Sequence, residues 1–395
     1  MKVLYLHPFS VFGGATKSLS EMISALPDDS VEGVALCPKG VASETFRSVG
    51  IEALEVLGIT QWDDTRYGYY RGLRWLILLR ELSYLPSVFL GLWRARKLGP
   101  YSLIHCNEIT ALLVGVLAKK WLGAPLLVHV RSLQRQGQGR ISKWLMKMLR
   151  QHADKVVAID EAVRRSLPAD IDVTVIHNGL KIPSLPEVEK EEEPFTVGLI
   201  GVLGRLKGVY EFVEAARILR DRNVAVRMVI VGENARNLSG VYGWLLRKFD
   251  FSCDVRGDLE KYVSKYDLSP VVEFAGFVRD VDKIYSRLNV LCFPSHLDAP
   301  GRPVFEAALY GLPSIVAMKN PTSDVVINGE TGLCIDSPAP QLIADSIEAL
   351  VCDRAATKKM GETARKYATN RFDSAVGASK FVDVYKQLNI FRAGK

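Results

Sequence analysis

The 395 residues, 48% hydrophobic and 24% charged, exceed what one core usually organises and point to two globular domains. A net charge of +7 and a pI of about 9.0 favour anionic partners: nucleotide diphosphates, an acidic membrane surface or nucleic acid. Six cysteines (Cys37, Cys106, Cys253, Cys292, Cys334 and Cys352) lie scattered without CxxC spacing, so no disulfide or metal framework is readable and several read as reduced core residues.

Residues 3–6 read as a buried first strand, too short for a signal-peptide core and followed by no cleavage site. Residues 7–16 form a loop, with Thr16 or Ser18 opening a helix to Leu26. Gly13 and Gly14 let the backbone approach a ligand closely, although tight strand–helix turns use the same pair. Strands follow at 31–37 and 51–56 around a helix at 42–49. Strands at 101–105 and 126–130 flank a helix at 110–122, and 155–159 and 173–176 continue the alternation. Such alternation predicts parallel sheets covered on both faces. His129 closes one strand, with Arg131 and Asn107 at comparable strand ends. A lone histidine is more often structural than functional. His177-Asn178-Gly179 predicts a tight turn.

Two segments are basic and aromatic. Residues 66–100 carry Arg66, Arg71, Arg74, Arg80, Arg94, Arg96 and Lys97 against Glu81 alone, with Tyr67, Tyr69, Tyr70, Trp75, Tyr84, Phe89 and Trp93 between them. Lys143, Lys147 and Arg150 recur at near-helical spacing beside Trp144, Leu145 and Met148. Basic amphipathic helices with interfacial aromatics lie on anionic membranes. The bland alternative is a pair of solvated helices packed by their apolar faces. Nucleic acid fits the charge, but the chain carries no recognisable module for it, so none is expected. The longest apolar region, 73–93, is interrupted by Arg74, Arg80, Glu81 and Pro86 and predicts no spanning helix. The expected compartment is therefore the cytoplasm, with peripheral contact at the inner face of its membrane.

Residues 183–194, bounded by Pro183 and Pro194 and rich in glutamate, predict a solvated linker. A strand at 196–201 then leads into Gly201-Val-Leu-Gly204-Arg205-Leu-Lys207-Gly208 and a helix at 209–221. This Gly-rich turn with two cations at a helix head suits a diphosphate. A strand at 226–231 follows, then a long connection at 234–266 read as an inserted helix pair, then a strand at 271–277 with Val278 at its rim. Asp280-Val-Asp282 reads as the start of a helix carrying Ile284 and Leu288, so no metal is assigned. A strand at 289–293 ends at Pro294, and 298–301 form a loop. Pro303 opens a helix that Gly311 ends in the left-handed conformation and Pro313 forbids from continuing. Glu306, expected in its first turn, faces the crevice at the strand ends, where two hydroxyls of a ribose could hydrogen-bond to its carboxylate. Gly329, Thr331 and Gly332 turn into a short strand, successive helices begin near Gln341, and a last helix runs over 375–388.

Asp298, seven intervening residues, Glu306 and Ala-Ala-Leu-Tyr-Gly-Leu-Pro resemble the Glu-x7-Glu signature of retaining glycosyltransferases of family 4. The likeness covers nearly the whole chain and is strongest over 196–333. It implies the GT-B fold: α/β, with two Rossmann-like domains whose parallel sheets face across a cleft. The domains would be 1–182 for the acceptor, a linker at 183–194, 195–374 for the nucleotide-sugar donor, and a helix at 375–395 crossing back. The resemblance implies that Glu306 holds the nucleotide ribose and that Asp298, with backbone N–H groups of the Gly-containing loop at Gly301, Arg302 and Val304 around Pro303, holds the donor sugar. It further implies that Lys207 and Arg205 neutralise the leaving diphosphate beside Gly204, that Gly13 and Gly14 face that diphosphate, that Val278 borders the nucleobase and that His129 touches the sugar. Three departures stand out. The first acid is Asp, the usual arginine position holds Val202 while Arg205 sits shifted, and Pro303 lacks an N–H.

The implied activity is metal-independent hexosyl transfer, with retention and without a cofactor. The donor would be a UDP- or GDP-sugar. The acceptor would be a hydroxyl of a saccharide or polyprenyl-linked saccharide in cell-surface polysaccharide assembly. Two rivals share the fold: a nucleotide-sugar epimerase, which would turn over donor alone, and a non-catalytic nucleotide-sugar-binding scaffold, which the three departures would suit.

Overall fold

The computed structural model describes residues 1–28, 30–66, 68, 75–135, 139–183, 194–234, 254–278, 280–297 and 299–393. The chain divides into two compact units, one of Met1–Lys181 with Arg371–Lys395 and the other of Ile182–Asn370.

In the first unit, β1 (Lys2–Leu6), β2 (Glu32–Pro38), β3 (Glu52–Val56), β4 (Leu103–Cys106), β5 (Leu126–Val130), β6 (Lys155–Ala158) and β7 (Val173–Val175) form a seven-stranded sheet in the order β3-β2-β1-β4-β5-β6-β7. All its pairings are parallel. Alternation along β1 sorts side chains between two cores. Leu4 and Leu6 enter one that contains Val88 and Leu92 of α4 (Leu85–Leu98), Leu112 of α5 (Leu112–Leu122) and Leu145 of α6 (Arg140–His152). Val3 and Tyr5 enter the other, with Leu19 of α1 (Gly14–Ser24), Phe46 of α2 (Val41–Ser48), and Phe381, Val384, Tyr385 and Leu388 of the last helix, α14 (Ser374–Ala393). Helix α3 (Trp75–Ser83) precedes α4, and α7 (Glu161–Ser166) follows β6.

In the second unit, β8 (Phe195–Ile200), β9 (Val226–Val231), β10 (Val272–Gly276), β11 (Val290–Phe293), β12 (Ser314–Ala317) and β13 (Gly332–Ile335) form a parallel sheet in the order β10-β9-β8-β11-β12-β13. One face buries Phe212 of α8 (Val209–Asp221), Leu259 of α9 (Val255–Lys265) and Ile347 of α12 (Pro340–Cys352). The other buries Ile284 of α10 (Asp282–Tyr285) and Val304 of α11 (Arg302–Leu309). Helix α13 (Arg354–Phe372) precedes α14.

Several local expectations change. Helix α1 starts at Gly14, not at Thr16, because the Thr16 hydroxyl donates to Val11 O at 2.8 Å and meets His7 Nε2 at 3.0 Å. It is therefore not free to cap. The helix expected at 110–122 opens with a single 3₁₀ turn, Ile109–Ala111. No turn forms at His177–Gly179. That passage runs on to a bridge between Leu180 and Asp373, and Gly179 lies so close to Ser374 that a β-carbon would sit 2.7 Å from its Cα. Helix α10 spans only four residues and stops short of Leu288. Of the expected insertion at 234–266, helix α9 is described and residues 235–253 lie outside the described residues. Cys37, Cys106 and Cys292 are buried free thiols, Cys334 and Cys352 are free, and Cys253 lies outside the described residues.

Candidate functional site

The sheet order of each unit dictates where chemistry collects. Successive strands are laid down on opposite sides of β8 in the second unit and of β1 in the first. The crevice at the strand ends lies where that order reverses, between β8 and β11 and between β1 and β4.

In the second unit, β8 feeds Gly201–Gly208 and β11 feeds the loop before α11. The two loops are knitted together. His296 N donates to Leu206 O at 3.0 Å and Ser295 Oγ to the same oxygen at 3.2 Å. Gly208 has φ +73°, and a β-carbon there would lie 1.8 Å from Pro294 O, so no other residue fits without moving backbone. The Lys207 ammonium lies 5.5 Å from the centre of the Phe293 ring. The opposite neighbour of that ring is Gly301, where a β-carbon would meet Phe293 Cζ at 2.4 Å. Phe293 thus brings the Lys207 loop and the head of α11 into one wall. Burial lowers the Lys207 pKa, and among the described residues no carboxylate pairs with it. It is a partly desolvated cation.

Helix α11 begins at Arg302, with Gly301 as an extended N-cap and Pro303 in second place. Among the described residues no side chain caps it, and none caps α8 or α1, whose N-caps are Gly208 and Gly13. By contrast Asp160 caps α7 and Asp254 caps α9. The glycine-headed helices keep orphan N–H groups and the positive dipole end for another acceptor. Because α11 starts one residue early, Glu306 falls in its second turn. Its Oε1 accepts from Arg302 Nε at 2.7 Å and its Oε2 from Tyr285 Oη at 2.9 Å. Burial and the Glu306 charge hold the Tyr285 pKa well above its usual value, so the phenol remains a donor. Arg205 sits on the 3₁₀ turn Arg205–Lys207 headed by Gly204, and its guanidinium bonds to the Tyr210 hydroxyl, which lies 3.4 Å from Asp258. Val278 packs against the cluster around Ile284. Asp298 lies outside the described residues. Lys283 pairs with Asp280 at 3.5 Å and Asp282 bonds to Tyr310.

In the first unit, the ends of β1, β4 and β5 converge on a buried polar cluster. His7 Nε2 meets Thr16 Oγ1, and Asn107 Nδ2 lies 2.9 Å from His7 Nδ1. Arg131 ties the cluster together. Its Nε donates to Asn107 Oδ1 at 2.9 Å, its Nη1 to Asn178 Oδ1 at 2.7 Å and its Nη2 to His129 Nδ1 at 3.2 Å. A guanidinium only donates, so His129 Nδ1 must accept and its proton resides on Nε2. His105 Nε2 reaches the same Nδ1 at 3.2 Å, and His105 Nδ1 meets the Tyr385 hydroxyl at 2.6 Å. Among the described residues, buried His129 Nε2 has no hydrogen-bond partner. It lines a small pocket with Arg131, His177, Asn178, Gly179 and Phe381. Burial and Arg131 push His129 and His105 well below the usual imidazole range, and His7 down to about 3. His129 is therefore a neutral, oriented donor. Glu108 beside it is pushed up by burial, although Ser132 and the Ile109 amide offset part of the shift.

Two protein-family models match. "Glycosyl transferases group 1" covers residues 183–367, and "Glycosyl transferase 4-like domain" covers 13–179. Both halves of the chain are glycosyltransferase domains. The chain is similar to the Staphylococcus aureus capsular polysaccharide biosynthesis glycosyltransferase CapM, with 23% identity over 300 residues, 69% of this chain and 73% of that one. It is also similar to the Escherichia coli UDP-Gal:alpha-D-GlcNAc-diphosphoundecaprenol alpha-1,3-galactosyltransferase, with 22% identity over 336 residues, 78% of this chain and 81% of that one. Among solved structures, Anabaena HepE in complex with UDP and glucose superposes with a TM-score of 0.73 at 20% identity, covering 98% of this chain and 99% of that one. The fold is that of GT-B glycosyltransferases: two parallel-sheet α/β domains.

In this glycosyltransferase the second unit joins the Gly204–Lys207 turn to Gly301 at the head of α11 through Phe293, places Glu306 between Arg302 and Tyr285, and buries Val304 in the core beneath; Phe293 and Tyr285 are additions that the sequence reading missed. In the first unit Gly13 and Gly14 head α1, and His129 belongs to a larger cluster with His7, His105 and Asn178. Their shared position at strand ends was the signal that could have found them.

Proposed function

We propose that the chain transfers a hexosyl group from a UDP- or GDP-sugar to a hydroxyl of a saccharide or polyprenyl-linked saccharide, with retention, in cell-surface polysaccharide assembly. The observation that carries this reading is Lys207, a half-buried cation beside the amide-rich head of α11, on the same wall as Glu306. Departure of an anionic diphosphate is the demanding event, and preorganised positive charge lowers its barrier. Lys207 and the uncapped amides supply that charge, and no metal ion is required. Glu306, braced by Arg302 and Tyr285, accepts from the ribose hydroxyls. Asp298 and the N–H groups of Gly301 and Arg302 hold the sugar, with Pro303 and Val304 beside them, and His129 donates from Nε2 to one of its oxygens. Gly13 and Gly14 face the diphosphate, Arg205 moves from Tyr210 to reach it, and Val278 borders the base.

Three likenesses support the substrate classes. HepE holds UDP and glucose. The E. coli relative is named for a UDP-sugar donor and a diphosphoundecaprenol-linked acceptor. CapM is named for capsular polysaccharide biosynthesis. With an acceptor tethered in a bilayer, the proposed reaction takes place at a membrane surface, on its cytoplasmic side.

The test is a thermal-shift screen of UDP, GDP, ADP and their sugars. A ligand at a hundred times its Kd stabilises by about 2.7 kcal/mol. That corresponds to a rise of roughly 5–10 °C for a domain of this size. No shift with any nucleotide would overturn the reading. Product from the donor alone, without acceptor, would move the assignment to an epimerase.

A further inference from the structure

Helix α3 is inside out. Its one acid, Glu81, is 2% exposed and accepts from Gln61 N at 2.9 Å and from Arg80 at 2.6 Å. Leu76 and Leu79 are instead 61% and 65% exposed, and Trp75 and Leu82 are exposed with them. In water this arrangement hydrates apolar surface that a rotation of the helix would hide. Helix α4 continues the face. Val88, Gly91, Leu92 and Ala95 pack inward, with Gly91 tight against Leu36 and Val56, while Phe89, Leu90 and Trp93 point out. Ring contacts join further helices to it. Trp62 touches Trp75 at 6.5 Å and Trp144 of α6 at 6.0 Å, and Phe89 meets Trp121 at the end of α5 at 5.9 Å. Exposed cations lie on the same helices, Arg80 on α3, Arg94, Arg96 and Lys97 on α4, and Lys143 and Lys147 on α6. Helix α6 carries no acid, and the Lys97 ammonium lies 3.6 Å from the centre of the Trp93 ring.

We propose that this face of the first unit beds into the interface of an anionic bilayer, with leucines and indoles at the acyl boundary and the cations among headgroups. Charge decides the occupant. Leucine and tryptophan inside a cationic margin form the composition of a helix lying on acidic lipid. A second copy of the chain would bring the same positive margin against itself. No single helix among the described residues is long and apolar enough to cross a membrane; α3 and α4, bent by 40° at their junction, have the combined length and apolar content of a broken span, but the inward packing of Val88, Gly91, Leu92 and Ala95 and the buried Glu81 leave them only one apolar face to offer a bilayer. The proposal sharpens the membrane-side acceptor reading, yet its test uses no nucleotide and no acceptor, so the two fail separately.

The experiment is co-sedimentation of the full chain with vesicles. Binding is expected to vesicles containing phosphatidylglycerol, weakly or not at all to pure phosphatidylcholine, and to fall as salt rises. The triple substitution R94Q/R96Q/K97Q should lower partitioning on the order of a hundredfold. The triple substitution L76S/L79S/W93S should lower it by more than about tenfold. All six side chains are exposed, so unchanged melting curves are expected to accompany both losses. Absence of binding to anionic vesicles by the intact chain would overturn the proposal, as would undiminished binding by both variants. A concentration-dependent dimer that L76S/L79S/W93S dissolves, without vesicle binding, would give the face to a second copy and overturn it too.

Discussion

At the scale of single residues, Lys207 makes the sharpest commitment. Its ammonium is already half stripped of water, so the field it presents to a diphosphate is stronger than that of a solvated lysine. Lys207→Ala should lower turnover by about 10²–10³, the usual consequence of losing one charge-stabilising donor. Steady-state kinetics on a donor found by the thermal screen checks it, and an unchanged rate removes Lys207 from the chemistry. The histidine cluster makes a second commitment, about acid. His7, His105 and His129 are held neutral when folded and titrate near 6.5 when unfolded. Below pH 6.5 the unfolded chain therefore binds more protons, and stability falls with pH. Each group contributes about 1.4 kcal/mol per pH unit until its folded pKa is reached, which for His7 is about 3. Denaturant titrations between pH 7 and 5 should show a steep loss, and replacing His105 by Gln should flatten the slope. Glu306 was legible in the sequence because the helix carrying it is punctuated by Pro303 and Gly311. The link between His7, Asn107 and Arg131 was not, because strand order alone brings those positions together.

At the scale of elements, buried strands announce themselves as short apolar runs, and among the described residues the strands expected from such runs form within a residue or two of them. Helix starts were harder to place. Thr16 has the chemistry of a cap, but the tertiary contact with His7 claims its hydroxyl. Ile284 and Leu288 have helical spacing, but the helix ends at Tyr285. Apolar content identified α3 as a helix and could not say which side faces in, because Glu81 is buried by a contact with the Gln61 amide twenty residues back. Glycine placement was legible as punctuation, and the structure adds its cause. Gly208→Ala should be severe, since it forces φ +73° on a residue with a side chain and drives a methyl into Pro294 O. A cost above about 1 kcal/mol in stability is expected. It should come with loss of nucleotide binding, because the Lys207 loop must move. Urea titration and the thermal shift read the two effects. A variant that melts normally and binds UDP would show that the loops at β8 and β11 need not touch.

At the scale of the whole molecule, the path of the chain couples the two units without reference to how they are arranged. The chain leaves the first unit at Lys181, builds the second, and returns at Arg371. The returning helix α14 is part of the first unit's core. Phe381, Val384, Tyr385 and Leu388 lie against Val3 and Tyr5 of β1 and Leu127 of β5, and Tyr385 also meets His105. Removing one large side chain from a core costs about 2–5 kcal/mol. Several lost together exceed the roughly 5–15 kcal/mol that keeps a domain folded. Truncation after Asn370 should therefore unfold the first unit although every strand of its sheet remains, and should leave the second unit intact, whose cores contain nothing beyond Met360. Limited proteolysis is expected to erase the first 181 residues and spare a fragment beginning near Ile182, and that fragment should still give a thermal shift with UDP if the donor site lies within it. Protection of both units after truncation would mean that the sheet and helices α1 and α2 close their own core, and that the returning helix only covers it.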